Sequence, residues 1–217
     1  MAFKFHMRFV LAVVAAAFLG PIAPATAEPY RIVGFGDSLM AGYGLGPGES
    51  FPEKLQKALQ DKGHDVVISN AGVSGDTTSG GLSRLDWSIP DGAQTQLVIL
   101  ELGANDMLRG IPPDITAKNL DTMLAKLKEK RIPVLLAGML AAPNLGPEYQ
   151  AAFEAIYPLL AEKYGVPLYP FFLDGVTADA SFLQADGLHP NAKGVDRMVE
   201  RIMPMVEKAM AANPDNS

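Results

Sequence analysis

Three observations predict a three-layer α/β/α domain built on a five-stranded, mainly parallel sheet. Strand-like runs alternate with amphipathic helical stretches, the strand-like runs are apolar almost throughout, and three of them lead directly into polar turns rich in glycine. The first strand is Tyr30-Arg31-Ile32-Val33-Gly34-Phe35. A helix follows from Phe51 to Lys62, with Phe51, Leu55, Ala58 and Leu59 on one face and Gly63 as its stop signal. Asp65 to Ser69 reads as a buried second strand and Leu97 to Leu102 as a third. Ile115 to Lys130 is a charged amphipathic helix that turns Leu120, Met123, Leu124 and Leu127 inward. Pro133 to Ala137 is a fourth strand, Tyr149 to Tyr164 a helix that Pro158 should kink, and Val166 to Phe171 a fifth strand. Asn191 to Ala212 closes the chain as a helix. Trp87 falls at the end of a shorter helix, Ser79 to Asp86, and is expected in the core.

The chain of 217 residues carries 18 Lys and Arg against 24 Asp and Glu, is 48% hydrophobic and contains no cysteine. This composition excludes a disordered chain, a collagen-like repeat and a disulfide-stapled mini-protein. The length suffices for one full core without staples. Lacking cysteine, the protein has no thiol nucleophile and no thiolate metal site.

Residues 1–27 are set apart from the domain at 28–217. Lys4 and Arg8 precede the apolar run Phe9 to Leu19, and Ala25-Thr26-Ala27 is a small-residue cleavage pattern, the layout of an export signal. A retained membrane anchor is the alternative. An apolar run of eleven residues broken by Gly20 and Pro21 is too short for the ~20 residues that span a bilayer. Removing the segment takes away two basic and no acidic residues, which moves the formal charge from −6 to −8. A chain of that sign has no electrostatic basis for binding nucleic acid or an anionic membrane. The expectation is an exported protein, periplasmic or secreted, monomeric, with no stable membrane insertion after cleavage.

In open parallel sheets ligands bind outside the carboxyl ends of the strands, which is where the polar turns fall. Gly36-Asp37-Ser38-Leu39 follows the first strand, Asn70 to Thr77 the second, and Gly103-Ala104-Asn105-Asp106 the third. Asp186-Gly187-Leu188-His189-Pro190 precedes the last helix and supplies one of two histidines beyond residue 27; the other, His64, sits in a polar helix–strand turn. Acyl transfer needs a hydroxyl nucleophile, a base to take its proton, a carboxylate to orient that base, and donors for the developing oxyanion. Ser38, His189 and Asp186 can fill the first three roles. The backbone N–H groups of Ser38 and Gly72 and the side-chain amide of Asn105 can supply the donors.

Taken together, these four blocks resemble the GDSL, or SGNH, hydrolase family, whose Ser, Gly, Asn and His match Ser38, Gly72, Asn105 and His189. The resemblance runs from about Tyr30 to the final helix. Glu101 to Gly110, Ser74-Gly75-Asp76-Thr77 and Ala155-Ile156-Tyr157-Pro158 are similar to the bacterial thioesterase/lysophospholipase/arylesterase branch. The resemblance implies a flavodoxin-like fold, a serine esterase acting on acyl or aryl esters, acyl thioesters or lysophospholipids, a shallow crevice, and no metal or other cofactor. It also implies that the loops Met107 to Pro113 and Leu140 to Pro147 line the acyl site, with Met107, Leu108, Arg109, Leu140 and Pro143 as crevice residues. Tyr43, just after the serine turn, is a candidate floor.

Three other readings are weighed. Asp37, Asp106 and Asp186 invite a divalent-metal phosphoesterase, but the first two fit better as braces of their turns. Gly42-Tyr43-Gly44-Leu45-Gly46 lacks the lysine of a P-loop and the spacing of a dinucleotide fingerprint, so it reads as a flexible loop. An exported binding module, or a deacetylase of carbohydrate esters on the same scaffold, would use the serine turn differently; exposed leucines in the two loops favour acyl or aryl groups.

Overall fold

The structure is a computed structural model that describes Met1, residues 28–90 and residues 94–212. The export-signal segment therefore lies outside the described residues. Five parallel strands form one sheet in the order β2-β1-β3-β4-β5: β1 (Tyr30–Gly36), β2 (Val66–Gly72), β3 (Leu97–Glu101), β4 (Val134–Ala137) and β5 (Leu168–Tyr169). The helices are α1 (Ser38–Ala41), α2 (Phe51–Asp61), α3 (Thr78–Ser88), α4 (Ala104–Leu108), α5 (Pro113–Glu129), α6 (Pro147–Glu154), α7 (Ile156–Tyr164) and α8 (Ala192–Ala211).

Chain direction and helix contacts fix the layers. The β1-α2-β2 crossover runs to one side and β2-α3-β3 back past β1 to the other; right-handed crossovers then place α2 and α3 on opposite faces. α8 packs against α2, whereas α5 packs against both α3 and α7. The order reverses between β1 and β3, and in open parallel sheets the ligand crevice lies at such a point, outside the carboxyl ends of the strands. Central strands are buried on both faces, and every residue of β3 and β4 is buried. That is why these segments are apolar without alternation.

The sequence reading differs from the structure at four places. β2 is an edge strand, longer than expected, with Val66 and Ile68 inward and Val67 exposed. Among the described residues, no strand pairs with its outer edge. β5 is only two residues long because Pro167 and Pro170 flank it, and proline has no N–H to extend a ladder. The helix expected from Tyr149 to Tyr164 is two helices broken at Ala155. Pro158 cannot donate to the Glu154 carbonyl, so the break falls where that hydrogen bond is missing. Trp87 is 85% exposed. Thr78, Gly81 and Leu85 define the buried face of α3, and a residue two positions beyond Leu85 points away from it.

α8 begins at the residue after a strong cap. Asn191 Oδ1 accepts from the Lys193 and Gly194 N–H groups at 3.0 and 3.1 Å, while Asn191 Nδ2 donates to the Ser181 and Leu183 carbonyls. One side chain thus starts the helix and ties it to the segment before His189. Asn191→Ala should lower stability by about 1–2 kcal/mol, read as a shift in the denaturant midpoint. Asn191→Asp, which keeps the cap, should lose less.

Candidate active site

β1 delivers a serine to the crevice through a short, stiff turn. Asp37 caps α1, its Oδ1 accepting the Leu39 N–H at 3.0 Å. Ser38 is therefore the first residue of α1, where its N–H has no acceptor within the helix. Its hydroxyl meets His189 Nε2 at 2.9 Å across 151 residues of chain. His189 Nδ1 lies 2.7 Å from Asp186 Oδ2, and Asp186 Oδ1 also accepts the Leu188 and His189 N–H groups at 2.9 and 3.0 Å. Those backbone donors, then the ring, hold the Asp186 carboxyl down at about 2. An ionised carboxylate only accepts, so Nδ1 carries the proton and Nε2 is left to accept the Ser38 O–H. A hydroxyl so paired can lose its proton as it attacks an electrophilic carbon.

The expected oxyanion donors stand at the ends of the neighbouring strands. Asn105, in α4 after β3, donates from Nδ2 to Asp37 Oδ2 at 3.0 Å, which leaves its second amide hydrogen free of that bond. Gly72 ends β2, and a Cβ there would collide with the backbone of Ala41, so only glycine lets α1 lie against this strand. The Gly72 N–H donates to Asn70 Oδ1 at 2.9 Å. That side chain must swing aside before the amide can serve a substrate oxygen.

Buried polar groups support this frame. Asp106 accepts from the Thr78 N–H and hydroxyl at 2.7 and 2.5 Å and from the Thr116 hydroxyl at 3.2 Å, joining α3, α4 and α5. Both Asp37 and Asp106 thus brace their turns. Among the described residues, no three His, Asp or Glu side chains are grouped as a metal ion would need. Arg84, on α3, donates to the Gly36 carbonyl at 2.9 Å, the Ala71 carbonyl at 2.8 Å and Asp76 Oδ2 at 2.6 Å, and its guanidinium lies 4.1 Å over the Phe35 ring. One cation thereby fastens the ends of β1 and β2. The sequence reading missed it, since an arginine inside a helical stretch looks like any solvated charge.

Glu101 is likewise unassigned by the sequence reading, although a carboxylate closing an apolar strand was a signal. It is 1% exposed, its Oε2 accepts the Asp37 N–H at 3.3 Å, and its Oε1 has no partner. Burial, reinforced by the Asp37 carboxylate, pushes its pKa well above the usual carboxylate range. Burial also raises Asp37 to about 6, against the opposing pull of the Leu39 N–H and the Asn105 amide.

The crevice residues divide. Leu108 and Leu140 are exposed, as are Arg109, whose Nη2 donates to the Gly75 carbonyl at 2.7 Å, and Pro143. Met107, at 8% exposure, packs with the hydrophobic core, because the buried face of α4 runs through Asp106 and Met107. Tyr43 is half-exposed and stands against the imidazole, its ring centroid 4.7 Å from that of His189.

A carboxyl whose folded-state pKa is raised favours the fold below its ordinary value, and that advantage is lost as pH rises toward the raised one. Glu101→Gln keeps an acceptor for the Asp37 N–H and removes the titration. Its melting temperature should gain on the wild type steadily from pH 5 to pH 9. Parallel melting curves across that range would show that Glu101 ionises freely.

Comparison with known proteins gives the family. The model of the GDSL-like Lipase/Acylhydrolase family matches residues 35–197. "Esterase TesA" of Pseudomonas aeruginosa is 39% identical over 183 residues, 84% of this chain and 90% of the relative. "Thioesterase 1/protease 1/lysophospholipase L1" of Escherichia coli K12 is 36% identical over 208 residues, 94% and 95% of the two chains. The crystal structure of AlinE4, described as an SGNH-hydrolase family esterase, superposes with a TM-score of 0.72 at 47% identity, covering 85% of this chain and 98% of that one. The crystal structure of TesA gives a TM-score of 0.78 at 38% identity, covering 82% and 99%. With the serine, histidine and aspartate linked at one rim of a parallel sheet, and with the match extending over most of the chain, the protein belongs to the GDSL-like lipase/acylhydrolase family, the SGNH hydrolases, and is a serine hydrolase of ester bonds.

Proposed function

We propose that Ser38 is the nucleophile, His189 its general base and Asp186 the residue that orients and charges that base. The reading rests above all on the unbroken chain of short contacts from Asp186 through His189 to Ser38. Ser38 Oγ attacks the carbonyl carbon of the ester while its proton passes to His189 Nε2. The carbonyl π pair moves onto oxygen, where the Ser38 N–H, the Gly72 N–H and Asn105 Nδ2 are the candidate donors. Collapse reforms the C=O bond and breaks the bond to the alcohol or thiol, which leaves with the proton from Nε2. Water then repeats the sequence on the acyl-serine, with His189 as its base, and releases the acid.

The substrate class follows from what surrounds the pair. Tyr43, Leu140 and Leu188 on loops, and Leu108 at the end of α4, present exposed apolar surface on segments that carry or follow the site residues. Such a rim suits fatty-acyl or aryl groups better than sugars, whose hydroxyls need fixed polar partners. Short and medium acyl esters, aryl esters, acyl thioesters and lysophospholipids are therefore the substrates of this reading, in line with relatives named arylesterase and thioesterase/lysophospholipase.

The same proposal includes export as a monomer, with residues 1–27 removed. Its supports are the charge and apolar layout of that segment and a first strand that starts at Tyr30. No helix among the described residues is long and apolar enough to cross a membrane.

Ser38→Ala should abolish p-nitrophenyl ester hydrolysis while the protein still melts cooperatively; turnover at the wild-type rate would end the assignment. Asn105→Ala should lower kcat by about 100- to 1,000-fold, and a change confined to KM would mean a binding role instead. Protein recovered from an exporting host should begin at Glu28 and elute as a single chain. An intact Met1 in the exported fraction would contradict cleavage.

A further inference from the structure

His189 and Asp186 share one small hairpin. Gln184 N–H donates to the His189 carbonyl at 2.8 Å, Gly187 N–H donates to the Gln184 carbonyl at 3.0 Å, and Leu183 bridges Pro190 in antiparallel fashion. With Asp186 Oδ1 accepting two backbone N–H groups, the histidine–aspartate pair moves as a unit. Such a unit still has to be set at the correct distance from Ser38, which belongs to a different part of the chain.

Gln184 spans that gap. Its Nε2 donates to the Pro190 carbonyl at 2.9 Å, inside the hairpin, and to the Tyr43 carbonyl at 2.7 Å, just beyond α1. Both amide hydrogens are thereby used. Among the described residues, the only other hydrogen bond between residues 184–190 and residues 37–48 is the Ser38–His189 bond itself. Gly44 admits the amide: its φ is +74°, and a Cβ there would run into the Gln184 side chain. The Tyr43 ring, on the same segment, rests against the imidazole at 4.7 Å between centroids. The Gly42-Tyr43-Gly44 run is therefore a docking strip for the histidine hairpin, which gives this glycine-rich stretch a purpose beyond flexibility.

We propose that Gln184 is a positioning residue of the hydrolytic reaction: by tying the histidine hairpin to the Tyr43 carbonyl, it holds His189 Nε2 within proton-transfer reach of Ser38. This rests on the roles proposed above for Ser38 and His189. A group acting through another should alter the rate of proton transfer far more than the binding of an ester, and a misplacement near 1 Å costs on the order of 100-fold.

The test compares wild type with Gln184→Met, which keeps the length and packing of the stem but has no donor, and with Gln184→Ala. Steady-state kinetics on a p-nitrophenyl ester are paired with the rate of Ser38 labelling by a fluorophosphonate and with melting temperature. Expected for Gln184→Met is a fall in kcat and in labelling rate of about 10- to 100-fold, with KM changed by less than about threefold and cooperative melting retained. A lowered melting temperature with kcat and labelling intact in the folded protein would make Gln184 merely structural and overturn the proposal. Should Gln184→Ala fail to fold, Gln184→Met alone decides. If the wild type is not labelled at Ser38, the nucleophile assignment fails instead, so the two failures are distinguishable.

Discussion

A 2.9 Å contact between Ser38 Oγ and His189 Nε2 joins the end of the first strand to the turn before the last helix. The serine turn and the histidine hairpin both bear on keeping those two atoms together. Neither residue can be placed by its neighbours in sequence, since 151 positions separate them. The sheet carries Ser38 outward on β1, and α8 returns the chain beside α2 so that the preceding hairpin faces the same rim. The fold is in this sense a device for closing one long loop. The entropy of that closure is met by the core rather than by the polar contact, which in half-exposed surroundings is worth only about 1 kcal/mol.

Beneath the rim the frame is polar and buried, an uncommon combination. Asp37 and Asp106 are fully buried, yet each accepts several hydrogen bonds and so avoids the full cost of desolvation. Arg84 is different in kind, because its planar fork engages two strand-end carbonyls and a carboxylate simultaneously. Glu101 is the exception, with one oxygen unpartnered and a carboxyl that burial pushes well above the usual range. Such a group lowers stability relative to an apolar residue unless its shape and its bond to the Asp37 N–H are needed to set the serine turn.

The substrate side of the crevice is built with less precision. Leu140, Leu188 and Tyr43 are exposed on loops and Leu108 at the end of α4, whereas Ser38 and Asn105 lie in the first turns of α1 and α4 and Asp186 and His189 in the hairpin before α8. Helix starts hold Ser38 and Asn105, and backbone hydrogen bonds hold the hairpin of Asp186 and His189, while the rim proposed for acyl or aryl groups is made of exposed side chains.

Much was legible in the amino-acid order alone. Apolar runs at β1, β3 and β4, helical periodicity at α2, α5 and α8, and polar glycine-rich turns after three strands specified a parallel α/β sheet and the edge that bears the site, because burial on two faces demands continuous hydrophobicity. Ser38, Asn105, Asp186 and His189 stood out because each is a polar residue in a glycine-containing run that follows an apolar strand or precedes the last helix. Other features had no local signature. The exposure of Trp87, the edge position of β2 and the burial of Met107 depend on which helix face meets the sheet, a matter of packing. Arg84, Glu101 and Gln184 acquire their roles only from carbonyls and N–H groups that distant segments bring to them. Periodicity is written along the chain, but hydrogen-bond partners far apart in sequence exist only once the chain has folded.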